Sequence, residues 1–169
     1  MQKLLLSKAS IVGLSLGAWM SVSYAVNHPS KIEKLVLLSP SGIGSQRVSF
    51  LFKAIPWMLM GDIGIDKITQ LVNSNQPLPP EAIEYTKLIA RNFNLRTETV
   101  PIFKDEELKQ LTMPLLLYCG EKDVLLNSHQ TIKRIKELLP NASTNLLHDY
   151  GHVLIGLTDR IINFLNSNT

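Results

Sequence analysis

Ala9-Ser10-Ile11-Val12-Gly13-Leu14-Ser15-Leu16-Gly17-Ala18-Trp19 reads as a short buried strand, a sharp turn carrying a serine, and the start of a helix. A serine displayed on a strand-to-helix turn needs a main chain so tightly bent that side chains two residues to either side would collide. Gly13 and Gly17 remove those side chains. The pattern marks Ser15 as the candidate nucleophile. The helix behind it directs free N–H groups at the same point, so the backbone N–H of Leu16 is a candidate donor to a developing oxyanion.

Working outward, Leu16 to His28 is apolar on nearly all sides, the pattern of a buried helix, and Asn27-His28-Pro29-Ser30 ends it. Lys34-Leu35-Val36-Leu37-Leu38-Ser39 follows as a continuous apolar run, as expected of a parallel strand covered on both faces. Strand, helix and strand make one right-handed βαβ unit. Ligands of such sheets gather beyond the carboxyl ends of the strands, where Ser15 and the loop Pro40-Ser41-Gly42-Ile43-Gly44 would lie. From Gln46 to Thr112 helix-like segments take over, roughly Val48 to Met60, Ile65 to Ser74, Glu81 to Phe93 and Lys104 to Leu111. The first is rich in bulky apolar residues, among them Phe52, Ile55, Trp57, Met58 and Leu59, which would pack on the core or line an acyl pocket.

Leu115-Leu116-Leu117-Tyr118-Cys119 is a further buried strand, ending at Gly120-Glu121-Lys122-Asp123. Asn127 can cap a helix running to about Leu139, with Ile132, Ile135, Leu138 and Leu139 on one face and Lys133, Arg134, Lys136 and Glu137 toward water. Ser143 to Leu147 makes a last short strand, His148-Asp149-Tyr150-Gly151-His152 the loop after it, and Ile155 to Leu165 an amphipathic closing helix. Asp123 and His152 each follow a strand at its carboxyl end, so they and Ser15 can meet above neighbouring strands. His28, His129 and His148 lack such placement, and Asp149 lies in the histidine's own loop.

Gly13-Leu14-Ser15-Leu16-Gly17 matches the Gly-x-Ser-x-Gly elbow of the α/β-hydrolase family, and Gly120-Glu121-Lys122-Asp123 and Gly151-His152 look like that family's acid and histidine loops. The order serine, acid, histidine is also the family's. The chain therefore resembles an α/β-hydrolase from the nucleophile elbow onward. The resemblance implies an α/β fold with a mostly parallel sheet of about four strands flanked by helices. Residues 1–45 and 112–169 would form the core and 46–111 a helical cap. It also implies a serine hydrolase of carboxylic esters or related acyl compounds, with Ser15 as nucleophile, His152 as general base and Asp123 as the acid that orients it.

The family's opening strands, which carry the second oxyanion donor, have no counterpart before Ser15. The expectation is a truncated, weakly active or inactive form, with Ser41-Gly42 the first place to look for a substitute donor and an exposed sheet edge beside Ser10-Ile11-Val12 through which copies self-associate. Two alternatives stand beside this reading. One is a non-catalytic binding module. The other is a secreted protein: Met1-Gln2-Lys3, the apolar stretch to Met20 and Ser23-Tyr24-Ala25 imitate a signal peptide, whose removal would take Ser15 with it. Polar and small residues dilute that stretch, which favours a cytoplasmic chain and argues against a membrane span.

Composition narrows the classes further. The 169 residues suit one domain, and 17 basic against 14 acidic residues with no long run of either sign argue against a nucleic-acid partner. The single cysteine, Cys119, reads as a packed thiol. No metal-ligand spacing and no glycine-rich phosphate loop after a strand is present, so neither metal nor cofactor is expected, and the partner implied is a small acyl substrate.

Overall fold

In the computed structural model, which describes residues 6–93 and 99–167 (residues 51 and 53 by backbone alone), Ala9–Leu14 form strand β1 and the chain turns at Ser15 straight into helix α1, Leu16–Asn27. A 3₁₀ turn at Pro29–Lys31 leads into β2, Ile32–Leu38. Helices α2 (Ser49–Met58), α3 (Gly61–Val72) and α4 (Pro80–Asn92) follow, then a single helical turn, α5 (Asp105–Leu108). The chain continues through β3 (Leu115–Gly120), α6 (Ser128–Leu138), β4 (Ser143–Leu147) and α7 (Thr158–Asn166). The basic segment Met1-Gln2-Lys3 of the signal-like pattern lies outside the described residues.

The four strands form one parallel sheet in the order β1-β2-β3-β4. Leu14 pairs with Leu38 and Leu38 with Tyr118, so β1 and β2 end level while β3 runs on through Cys119 and Gly120, which pair with Leu146 and Leu147 of β4. Alternate residues of the central strands feed two cores, because successive strand side chains point to opposite faces. On one face Leu35, Leu37, Leu115 and Leu117 pack against Ala18, Val22 and Ala25 of α1 and Ile132 and Ile135 of α6, with Phe103, Leu108 and Leu111 around α5. On the other, Val36, Leu116 and Tyr118 meet Leu157, Ile161, Phe164 and Leu165 of α7 and the segment before it.

Lys34 lies on this second face and is buried. Its ammonium donates to the carbonyls of Phe164 at 2.8 Å, Leu165 at 3.1 Å and Ser167, and sits 5.4 Å from the centre of the Phe164 ring. A cation is thus held against the carbonyl end of α7, where the helix dipole is negative. Arg134, expected to face water, does similar work on the other face: it pairs with Asp105 and donates to the carbonyls of Ile43 and Phe103. The loop after β2 and the segment before α5 each offer a carbonyl, and the long guanidinium reaches both from α6.

Helix α1 departs from the expected all-round burial. Ala18, Ser21, Val22 and Ala25 are buried against the sheet, whereas Leu16, Met20 and Tyr24 are exposed, because no described element covers the helix's outer side. Helix α2 likewise leaves Phe52, Ile55 and Met58 exposed, with Leu59 just after it, instead of packing them on the core, while Ala54 is buried. Helix α3 starts four residues earlier than expected, at Gly61, and is tied to α4 by Lys87–Asp66 at 2.9 Å and by Arg91, whose Nε donates to Asp62 at 3.1 Å and holds that carboxyl below the usual aspartate range. Helix α5 is shorter than expected. Gln110 and Leu111 bond back three residues, to Glu107 and Leu108, which tightens the end into a turn.

The serine turn assigns unequal roles to its glycines. A Cβ on Gly13 would come within 2.6 Å of Ser21 Oγ and 2.7 Å of Ala18 Cα, so β1 and α1 touch there. A Cβ on Gly17 would meet nothing within 4 Å. The expected collision therefore exists only on the strand side, since Gly17 already lies in the first turn of α1 and faces outward.

Gly13→Ala is expected to destabilise the chain by about 1–3 kcal/mol in urea unfolding through overpacking, whereas Gly17→Ala should unfold at or above the parent midpoint. Equal effects would contradict this division. Lys34→Met should cost about 2 kcal/mol by leaving the carbonyls at the end of α7 without a donor, with the loss of protection appearing first in the amides of α7 in hydrogen exchange.

Candidate active site

The turn places Ser15 at φ 52° and ψ −114°, a left-handed conformation that a side chain other than glycine adopts only under constraint. The constraints are visible. Ser15 N–H donates to the Leu38 carbonyl at 2.9 Å, and its own carbonyl accepts from Trp19 N–H at 3.1 Å and Ser41 N–H at 3.2 Å. The residue is thus fastened to β2, to α1 and to the loop after β2, and its side chain is left half-buried at the carboxyl edge of the sheet.

Asp123 follows β3 and is fully buried. One carboxylate oxygen accepts from the N–H groups of Leu125 at 2.8 Å and Leu126 at 3.0 Å, which fixes the carboxyl plane. Its other oxygen lies 2.8 Å from His152 Nδ1. His152, in the loop after β4 and also buried, carries Nε2 2.8 Å from Ser15 Oγ. The three residues picked out by chain order and strand-end placement therefore come together in one hydrogen-bonded line. With Nδ1–H donated to the carboxylate, Nε2 is the free base facing the hydroxyl.

The other titratable residues near these loops are engaged elsewhere. Asp149 is exposed and pairs with Lys122 at 3.1 Å. His148 and His129 are exposed and approach the two oxygens of Glu121, at 2.8 Å and 3.6 Å, and His28 lies against the ring of Tyr24. Burial, with Asp123 nearby, pushes the Cys119 thiol far above its ordinary range, so it is an inert packing residue. No group of three or more His, Cys, Asp or Glu among the described residues could hold a metal ion.

Leu16 opens α1, which keeps its N–H on the serine side of the turn. Ser41 N–H is not a free second donor, because it is engaged by the Ser15 carbonyl. Two features had no sequence signal. Ser39 is buried at φ 41° beside the turn, its hydroxyl without a partner among the described residues, and the Val72 carbonyl at the end of α3 accepts the His152 N–H at 2.9 Å. Both depend on contacts between segments far apart in the chain, and a serine or a valine in isolation signals neither.

Comparison with known proteins gives a consistent picture. No protein-family model matches the chain. It is 25% identical to the uncharacterized carboxylesterase nap of Bacillus subtilis, over 97% of this chain and 59% of that protein, and 25% identical to carboxylesterase YbfK of the same organism, over 88% and 53%. The chain thus spans between half and three fifths of the length of these curated relatives. Among solved structures it superposes on naproxen esterase (carboxylesterase NP) from Bacillus subtilis with a TM-score of 0.82 at 23% identity, covering 98% of this chain and 62% of that one. Its parallel sheet and flanking helices are those of the α/β-hydrolase fold.

Proposed function

We propose that the chain carries the acyl-transfer centre of a serine hydrolase acting on small carboxylic esters. The observation that carries this reading is the unbroken line from Ser15 Oγ through the imidazole of His152 to Asp123, closed by two contacts of 2.8 Å. Relatives named as carboxylesterases support the reaction class. In this reading helices α2 to α4, between β2 and β3, act as the cap.

The chemistry follows from the placement of the groups. As Ser15 Oγ bonds to the ester carbonyl carbon, His152 Nε2 takes the hydroxyl proton, and the carbonyl oxygen gains a negative charge toward Leu16 N–H. Asp123 stabilises the imidazolium and holds its tautomer. Collapse breaks the bond to the alcohol oxygen, which leaves with the proton from Nε2, and an acyl-serine remains. Water deprotonated by Nε2 then attacks the acyl carbon, releases the carboxylic acid and restores Ser15.

Leu16 supplies one oxyanion donor, and Ser41 N–H, engaged by the Ser15 carbonyl, does not supply the second. A missing donor costs about 2.7–4 kcal/mol of transition-state stabilisation, so slow turnover is the reading for this chain by itself. Among the described residues strand β1 pairs only with β2, and it exposes Val12 and Leu14 at the sheet's edge, which favours self-association through unpaired strand groups.

Stoichiometric labelling by a fluorophosphonate, alongside p-nitrophenyl acetate hydrolysis, tests the chemistry. Ser15→Ala should abolish both, and Asp123→Asn should slow acylation about 10⁴-fold. Labelling that persists at full stoichiometry in Ser15→Ala would assign the chemistry to another group. Light scattering tests the edge: the parent chain should exceed its monomer mass, and Val12→Lys should lower that mass, whereas a monodisperse monomeric parent would refute self-association.

A further inference from the structure

The loop that carries His152 is held from two sides. On the sheet side, Gly120 at the end of β3 lies so close that a Cβ there would come within 2.0 Å of the Gly151 carbonyl and 2.4 Å of that of Tyr150. On the other side lies the turn that closes α3. A Cβ on Gly151 would meet the Val72 carbonyl at 2.4 Å and the backbone of Asn73 and Ser74 at 2.9 Å. The histidine's own N–H donates to the Val72 carbonyl at 2.9 Å. One bond thereby satisfies both a carbonyl left over at a helix end and an N–H in a loop that has no ladder to join.

The turn itself is built at a cost. Ser74 and Asn75 sit at φ 53° and 57°, in the left-handed region, and Asn73 is buried with its Oδ1 lacking a partner among the described residues. Strain of this kind persists only where surrounding contacts impose it. The contacts are present: Asn73 Nδ2 donates to the Gln76 carbonyl at 2.6 Å, Asn75 N–H to the Gln70 carbonyl at 2.8 Å, and Gln76 N–H to the Asn73 carbonyl at 3.1 Å. The closed turn then reaches out to both functional loops. Gln76 Nε2 donates to the Asp149 carbonyl at 2.9 Å in the histidine loop, and the Ser74 hydroxyl faces the Lys122 carbonyl at 3.4 Å, one residue before Asp123.

We infer that the turn Val72–Gln76 is a positioning element for His152, with Asn73 as the positioning residue that holds it closed. The inference rests on the catalytic reading given above and adds a role for the inserted helices. Beyond covering the site, α3 sets the height of the imidazole between Ser15 and Asp123, and any displacement of α3 is transmitted to His152 through the Val72 carbonyl. The substrate-side helices and the proton-transfer step are mechanically one unit.

Two readouts on the full chain separate positioning from plain stability. One is the second-order rate of Ser15 phosphonylation by a fluorophosphonate. The other is the ¹H–¹⁵N signal of the His152 Nδ1–H, whose slow exchange reports its bond to Asp123. Asn73→Ala and Gly151→Ala are each expected to slow phosphonylation about 10²-fold, the usual consequence of a misplaced catalytic group, and to broaden the ring signal at temperatures where circular dichroism shows an intact fold. Gln76→Ala, which removes only the contact with Asp149, should slow labelling several-fold and leave the urea midpoint near that of the parent. Unchanged labelling and an unchanged ring signal in folded Asn73→Ala and Gly151→Ala would overturn the inference. If neither folds, unchanged labelling in Gln76→Ala overturns it. Labelling that survives Ser15→Ala would strike the catalytic reading instead, and the ring signal of His152 would still decide whether the turn positions it.

Discussion

The hydrogen bond from Ser15 N–H to the Leu38 carbonyl is the constraint around which the rest is arranged. It continues the β1–β2 ladder one residue beyond the end of β1, so the chain must reverse into α1 from a point fixed to the neighbouring strand. Ser15 then has no room for an ordinary backbone conformation. Its left-handed dihedrals follow from being bonded to β2 on one side and starting a helix on the other. The contact between Gly13 and the backbone of Ala18 is the steric condition for that reversal, which explains why the strand-side glycine matters and the helix-side one does not.

From this fixed point the site is assembled at the carboxyl edge of the parallel sheet. β1 and β2 finish level and β3 two residues beyond them, so Ser15 after β1 and Asp123 after β3 both stand at the carboxyl edge of the sheet, and the imidazole of His152 bonds to both. Each partner is prepared by its own loop. Asp123 is anchored by two amides of the turn that follows it, which hold its carboxyl plane at a buried position. His152 has no such local anchor: its backbone is held by Gly120 and by the end of α3, elements from two other parts of the chain.

Two long cationic side chains perform the other long-range ties. Lys34 and Arg134 each donate to more than one backbone carbonyl at places where the chain leaves regular structure, Lys34 at the end of α7 and Arg134 at the loop after β2 and the segment before α5. Carbonyls without a ladder partner in a buried setting are costly unless a donor reaches them. Arg134 also bears on the site, because the loop it secures contains Ser41, whose N–H holds the Ser15 carbonyl.

The periodicity and order of the residues determined the four strands, their parallel arrangement, the helices between them, and the choice of Ser15, Asp123 and His152 as the candidates that meet at the sheet's carboxyl edge. These features were legible because each rests on a local pattern: a continuous apolar run for a doubly covered strand, a glycine before a serine for a tight turn, an asparagine before an amphipathic helix. What only the tertiary structure decided is whatever depends on which surfaces meet. A buried lysine, a partly buried arginine on the nominally solvent side of α6, the exposed faces of α1 and α2, the idle space at Gly17, and the seat of His152 on Val72 all arise from contacts between segments tens of residues apart. No local pattern encodes such contacts. A hydrogen bond between a helix-end carbonyl and a loop amide uses only backbone atoms that every residue carries, so nothing in the letters Val72 and His152 distinguishes this pair until the fold brings them together.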